Sequence, residues 1–199
     1  MSEESDPGGE ASLSERAGVL LVRLARSVVS GELGVADPFD PQQARDDAAL
    51  QEWRSVFVTI EKDGSLRGCI GFMEPTGPLH ETVERAALAA AFQDSRFSPL
   101  RGDELAATRF EVSVLSRPAE DSGARPTLPD RVTVGRDGLM VEHLGRRGVL
   151  LPQVAAEWGW DARQFLSQTC LKAGLPRDSW KDPSCKVFLF QSQVFRDRR

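Results

Sequence analysis

Apolar positions Ala17, Leu20, Leu21, Leu24 and Val28 recur every three or four residues, which predicts a helix over Ser12 to Ser30 with one buried stripe. Ser12 and Glu15 make a capping-box pattern at its start, and Gly31 and Gly34 stop it. Prolines and carboxylates from Asp37 to Asp47 break any period, so a loop is expected. The period then changes to two. Val56, Val58 and Ile60 predict a strand from Ser55 to Glu61, the turn Lys62-Asp63-Gly64 reverses the chain, and Leu66 to Phe72 returns as a hairpin partner. A second helix follows from Pro78 to Phe92, with Leu79, Val83, Ala86, Ala87 and Ala90 as a small-residue face suited to close packing. After the loop Gln93 to Leu100 and a short helical stretch at Asp103 to Ala107, Phe110, Val112 and Val114 alternate in a strand that Pro118 closes.

The loop Ala119 to Asp130 separates a second half with similar grammar. Val132-Thr133-Val134 predicts a strand, Arg136-Asp137-Gly138 a turn, and Val149-Leu150-Leu151 a strand running into a helix that begins at Pro152. A further helix starts at Asp161, where Asp161 and Gln164 form a cap and Phe165, Leu166, Thr169, Cys170 and Ala173 give the buried face. Gly174-Leu175-Pro176 is its stop, and a last strand runs from Cys185 to Phe195. A shift of 74 positions lays Val58-Thr59 on Val132-Thr133 and Asp63-Gly64 on Asp137-Gly138, which suggests duplicated halves at about 50–118 and 128–195. In that alignment Cys69 and His143 are equivalent. Residues 1–11, acidic and rich in Gly and Ser, are expected to be a mobile tail before one domain at 12–199.

The 199 residues carry 25 Lys plus Arg against 30 Asp plus Glu, a formal charge of −5, which disfavours a nucleic-acid backbone as partner. With 40% hydrophobic and 28% charged residues the chain is of ordinary globular composition. No apolar run reaches the length of a membrane span, and the N-terminus lacks an export pattern, so a cytoplasmic protein without membrane contact is expected. Cys69, Cys170 and Cys185 show neither C-x-x-C spacing nor a secreted framework. Neither a metal nor a cofactor is implied, and P-loop and serine-elbow motifs are missing.

The segment Leu66-Arg67-Gly68-Cys69-Ile70-Gly71 concentrates the chemistry, because Gly68 and Gly71 weaken a strand and leave backbone open to a close approach. In extended chain Arg67, Cys69 and Gly71 face one way, so the guanidinium could lie one pleat from the thiol and favour thiolate. Such a thiol suits a nucleophile or a soft-metal ligand; a thiol in an apolar layer would be inert.

The same residues carry a resemblance. Leu66 to Gly71 resembles the signature hexapeptide of the AMMECR domain family, and Asp94-Ser95-Arg96-Phe97-Ser98-Pro99 resembles its Asp-x-Arg-Phe-x-Pro loop. Glu111 to Ser116, Leu150 to Val154 with Glu157, Trp160 and Phe165, and Lys172 to Pro176 continue the match in order, over roughly Leu13 to Phe195. The resemblance implies an α+β fold of two coupled three-strand, two-helix units forming one body. It also implies the type called AmmeMemoRadiSam system protein A, with Memo-like and radical SAM proteins as associates, and it brings no reaction with it.

Cys69 and Arg67 are therefore the candidate catalytic pair for an unknown small molecule, with Gly68, Gly71, Asp94, Arg96, Gln153 and Glu157 as candidate binding residues. Asp94 and Arg96 could line a pocket or bridge a helix end to the next strand; Gln153 and Glu157, four apart on a helix, could point into a cleft or into solvent. The rival function is a non-catalytic interaction module in which the hexapeptide shapes a groove for a partner protein. His80 and His143 read as surface histidines, and Cys170 and Cys185 as core.

Overall fold

In the computed structural model, which describes residues 12–197 and so leaves the expected tail at 1–11 outside them, the first apolar stripe becomes helix α1 (Glu15–Glu32). Ala17, Leu21, Leu24, Ala25 and Val29 bury its inner face. Its cap is Ser14, not the expected Ser12. Ser14 has the extended backbone of a cap and accepts the Ala17 N–H at 3.2 Å, whereas the Ser12 hydroxyl is bonded by the Gln193 side chain. The loop after it holds one helical turn, α2 (Gln42–Arg45), which is too short to show a period.

Strands β1 (Ser55–Lys62) and β2 (Ser65–Phe72) form the expected hairpin. Asp63 and Gly64 at its tip both take positive φ, 50° and 76°, the twist that joins two strands through two residues. Helix α3 (Leu79–Phe92) and strand β3 (Thr108–Leu115) complete a unit made of residues 12–115 and 193–197, in which β1 lies between β2 and β3, all antiparallel. α1 and α3 cover the sheet face that carries Val56, Val58, Ile60, Phe110, Val112 and Val114. Each side chain of that size removed from water contributes about 1.5–3 kcal/mol before the entropy of ordering it. His80, expected on the surface, is buried in the first turn of α3. Its backbone position, beside Leu79 whose N–H bonds the Glu52 carbonyl, is drawn into the core with that turn.

Ser116–Ser192 form a second unit with its own core of Leu139, Val141, Phe165, Leu166, Trp180 and Val187. Its elements are β4 (Ala119–Glu120), α4 (Leu128–Arg131), β5 (Asp137–His143), β6 (Arg146–Leu150), α5 (Pro152–Glu157), α6 (Ala162–Lys172) and the first part of β7 (Lys186–Arg196). β5 pairs with β6 and β7, and β4 pairs with β7. Residues 193–196 of β7 belong to the first unit, where Asp197 N–H bonds the Phe110 carbonyl at 2.9 Å. The capping box of Asp161 and Gln164 is formed, and Gly174, at φ 71°, ends α6 as expected.

Two expectations for this unit change. Val132–Val134 is not a strand, because Thr133 N–H bonds the buried Asp137 carboxylate at 2.7 Å and closes a turn over Thr133 to Arg136. Asp137-Gly138 then opens β5 instead of turning a hairpin; the hairpin tip is Leu144-Gly145, at φ 50° and 73°. The counterpart of Asp63-Gly64 is therefore Leu144-Gly145, and the 74-residue alignment of Cys69 with His143 does not hold in the backbone. Both units do run hairpin, helix, strand.

Candidate functional site

The site is built on a bulge. Lys62 pairs with Ser65 and Glu61 with Leu66, but Ile60 pairs with Gly68, so Arg67 is an extra residue on β2. Past the bulge every side chain of β2 lies on the face opposite to the one simple counting from the turn gives. Gly68 therefore falls on the core face opposite Ile60, and Cys69 on the outer face opposite Thr59. A Cβ on Gly68 would sit 2.1 Å from the Ala90 carbonyl oxygen, so this glycine exists to let the α3 backbone rest on the strand. The small-residue face of α3 is its complement. On the outer face a Cβ on Gly71 would strike the Phe57 ring at 2.3 Å, which places that ring over the strand two residues from Cys69.

The loop after α3 clamps the free edge of β2. Asp94 Oδ2 accepts the Cys69 N–H at 2.9 Å, and Arg96 Nη2 donates to the Cys69 carbonyl at 3.3 Å. Arg96 also grips Asp94 with two bonds, Nε to Oδ1 at 2.9 Å and Nη2 to Oδ2 at 2.6 Å. Two side chains thus satisfy the main-chain groups that a neighbouring strand would otherwise satisfy. The Arg96 bonds and the Cys69 N–H hold the Asp94 carboxyl well below the usual carboxylate range, against burial that opposes its ionisation. The same pairing raises Arg96.

Arg67 is committed elsewhere than the alternation suggested. As the bulge residue it turns to Glu104, bonding Oε1 at 3.2 Å and Oε2 at 3.0 Å, and to the carbonyls of Ser98 and Pro99 at 2.8 and 3.2 Å. Lys62 Nζ reaches the same carboxylate at 3.0 Å. The Arg67 bonds first, then those of Lys62 and the Arg101 N–H, take Glu104 down to about 2. The cation whose field reaches the sulfur is Arg96, not Arg67.

Cys69 itself is half-buried. Burial pushes its thiol up, and Asp94 and Glu111 add to this, while the Thr59 hydroxyl, donating to Sγ at 3.2 Å, and Arg96 act in the opposite sense. Thr59 pairs with Cys69 on one side and with Glu111 of β3 on the other, so thiol, hydroxyl and carboxylate form one row across three strands. Glu111 is in turn bonded by Arg196 Nε at 2.6 Å. The arrangement can present a protonated sulfur in a fixed pose, with a hydroxyl placed to receive the charge of a thiolate.

Cys69, Gly68, Gly71, Asp94, Arg96 and, behind them, Arg67 come together in the first unit. Gln153, half-buried, and Glu157, exposed, lie on α5 in the second. Thr59, Glu104 and Glu111 were not among the expected site residues. Only the polar position of Thr59 within Val56 to Ile60 hinted at an outer face, and the bulge hid its partner. Cys170 and Cys185 are buried as expected, and burial raises Cys170 to about 11. His143 is half-buried at the end of β5. Among the described residues no group of three His, Cys, Asp or Glu side chains could hold a metal ion, and no helix is long and apolar enough to cross a membrane. A cavity of about 230 Å³ in the second unit, lined by Leu189, Phe190 and the ion pairs Asp121–Arg131 and Asp137–Arg136 among others, contains none of the expected site residues.

An α+β chain of two hairpin, helix and strand units, one of which carries a clamped cysteine in a bulged edge strand, is the class defined by this geometry. The AMMECR1 family model matches residues 22–195, and the chain belongs to that family. It is 47% identical to a protein of Thermofilum pendens, over 92% of this chain and 91% of that one, and 46% identical to a protein of Methanothermobacter thermautotrophicus, over 94% and 97%. The crystal structure of protein PH0010 from Pyrococcus horikoshii superposes with a TM-score of 0.85 at 41% identity, covering 94% of each chain.

Proposed function

We propose that the protein is an enzyme component that presents Cys69 to a small substrate as the reacting group. The observation that carries the reading is the clamp: both main-chain polar groups of Cys69 are held by Asp94 and Arg96 while its sulfur stands beside the Thr59 hydroxyl on the outer face. Positioning of this kind is what a reacting group needs. Burial, the largest influence on the sulfur, disfavours its ionisation, and on this reading a base carried by the substrate or by a partner assists the step. The Memo-like and radical SAM proteins implied by the family resemblance are the proposed partners, in a cytoplasmic setting.

A second reading has an observation of its own. Gly68 is explained by α3 and Arg67 by Glu104, so two residues of the hexapeptide have structural duties, as an interaction module would require.

Alkylation of the folded protein by iodoacetamide between pH 6 and 10, mapped by peptide mass spectrometry, separates the two. The enzyme reading expects Cys69 to react while Cys170 and Cys185 stay protected, at rates still rising above the ordinary thiol midpoint of about 8.5. Complete resistance of Cys69 until the chain unfolds sinks it. For the module, partner capture that survives Cys69→Ala is the supporting result, and loss of capture in a folded Cys69→Ala chain counts against it.

A further inference from the structure

We propose that the cross-strand row Cys69–Thr59–Glu111 controls how readily the sulfur reacts, with Thr59 as the positioning residue that orients it and Glu111 as the carboxylate that restrains it. The inference rests on the reading of Cys69 as the reacting group and assigns parts to two residues that the family motifs quoted above leave out or leave without a role.

The register supplies the geometry. Thr59 is paired with Cys69 and with Glu111 at once, so the three side chains leave the sheet on the same face at neighbouring-strand spacing. Thr59 Oγ1 stands 3.2 Å from Sγ and donates to it. A hydroxyl donor strengthens its bond when the acceptor gains a full charge, so it favours the thiolate over the thiol. Glu111 acts in the other direction. Its side chain is only 15% exposed, so water screens its charge incompletely, and a like charge one strand away from the sulfur disfavours ionisation. Arg196 of β7 partly offsets it, and the remaining charged neighbours are the paired Asp94 and Arg96 of the clamp. The helical face contributes none of the groups acting on the sulfur, because α3 packs on the opposite side of the strand, over Gly68.

This differs from a packing role for Thr59. A β-branched side chain at this place would satisfy the strand equally well as valine, so shape and hydroxyl can be separated by substitution.

The experiment measures the rate of Cys69 alkylation by iodoacetamide from pH 6 to 10 in the full chain and in Thr59→Val, Thr59→Ser and Glu111→Gln, with circular dichroism to confirm folding. In the probe reaction the thiol proton passes to buffer, the thiolate forms the S–C bond, and the C–I bond breaks with iodide leaving. Thr59→Val is expected to slow the reaction about tenfold at pH 8 and move the midpoint upward, in line with a hydrogen bond to a charged group. Thr59→Ser should restore most of the rate. Glu111→Gln should speed it about threefold and move the midpoint downward.

Profiles of Thr59→Val and Glu111→Gln that superimpose on the parent, or that shift in the same direction, overturn the proposal while leaving Cys69 as a reacting group. Resistance of Cys69 in every folded chain overturns both. If Thr59→Val does not fold, the direction of the Glu111→Gln shift decides alone.

Discussion

Arg67 shows how a residue can be prominent in the sequence and be occupied by the architecture. Its guanidinium joins Lys62 and the Arg101 N–H on Glu104, a carboxylate whose side chain is 14% exposed, and so ties the β1–β2 hairpin to the segment that leads into β3. These bonds lower Glu104 from 4.5 to about 2. A depressed carboxylate gives stability that is fully present above its unfolded value and is lost as the pH falls through its folded one. Glu104→Gln should therefore lose about 2 kcal/mol at pH 7, where a charged acceptor is removed from two cations. The loss should shrink between pH 4.5 and 2, the window of the shift, and vanish below it. Urea titrations of both chains at pH 7, 4 and 2 measure this; a difference independent of pH would mean that the Glu104 charge does not matter. Cys69 stood out in the sequence because Gly68 and Gly71 flank it in a strand. Its partners were not legible. Counting back from a two-residue turn pairs Thr59 with Gly68, and only the insertion of Arg67 brings Thr59 opposite Cys69.

Elements with a strong period, such as α1, β1, α3, β3 and α6, stand where their patterns put them, because burial of one stripe or one face decides them. Those that failed are set by single bonds. Ser14 instead of Ser12 caps α1, and the Asp137 side chain turns the chain where Val132-Thr133-Val134 alternates like a strand. The two hairpins share a device that the sequence alignment at 74 residues concealed. Gly68 on β2 lies against α3, and Gly148 on β6 lies against α6, where a Cβ would meet the Ala173 nitrogen at 2.5 Å and the Thr169 carbonyl oxygen at 2.7 Å. Each unit thus needs one glycine where its helix backbone presses on the second strand of its hairpin. Gly68→Ala should destabilise by about 3 kcal/mol, since backbone cannot yield as a side-chain tip can. Gly145→Ala is a useful contrast: its Cβ would meet nothing within 4 Å, so any loss there comes from the left-handed φ of 73° alone, about 1 kcal/mol. Thermal melts that rank Gly145→Ala below Gly68→Ala would show that the strand glycine is not there for packing.

Among the described residues, several arginines are engaged by carboxylates inside the protein. Arg26 holds Asp197, Arg67 holds Glu104, Arg96 holds Asp94, Arg131 holds Asp121, and Arg147 holds Glu142, each within hydrogen-bonding distance. Most of these pairs secure a loop or an edge where the backbone lacks a partner, which is why arginine, with several donors in a fixed fork, outperforms a point charge there. The consequence is electrostatic. With a formal charge of −5 and several of its guanidiniums already facing carboxylates, the molecule is poorly suited to a phosphate backbone, whose binding depends on cations that release counterions. Fluorescence anisotropy with a labelled duplex at 150 mM salt should therefore show a dissociation constant weaker than about 100 µM, the upper end of non-specific binding. The outcome should not depend on Arg67 or Arg96. If the chain binds more tightly, and if Arg96→Ala weakens that binding and flattens its salt dependence, the clamp at Cys69 serves a polyanion and the small-substrate reading has to be given up.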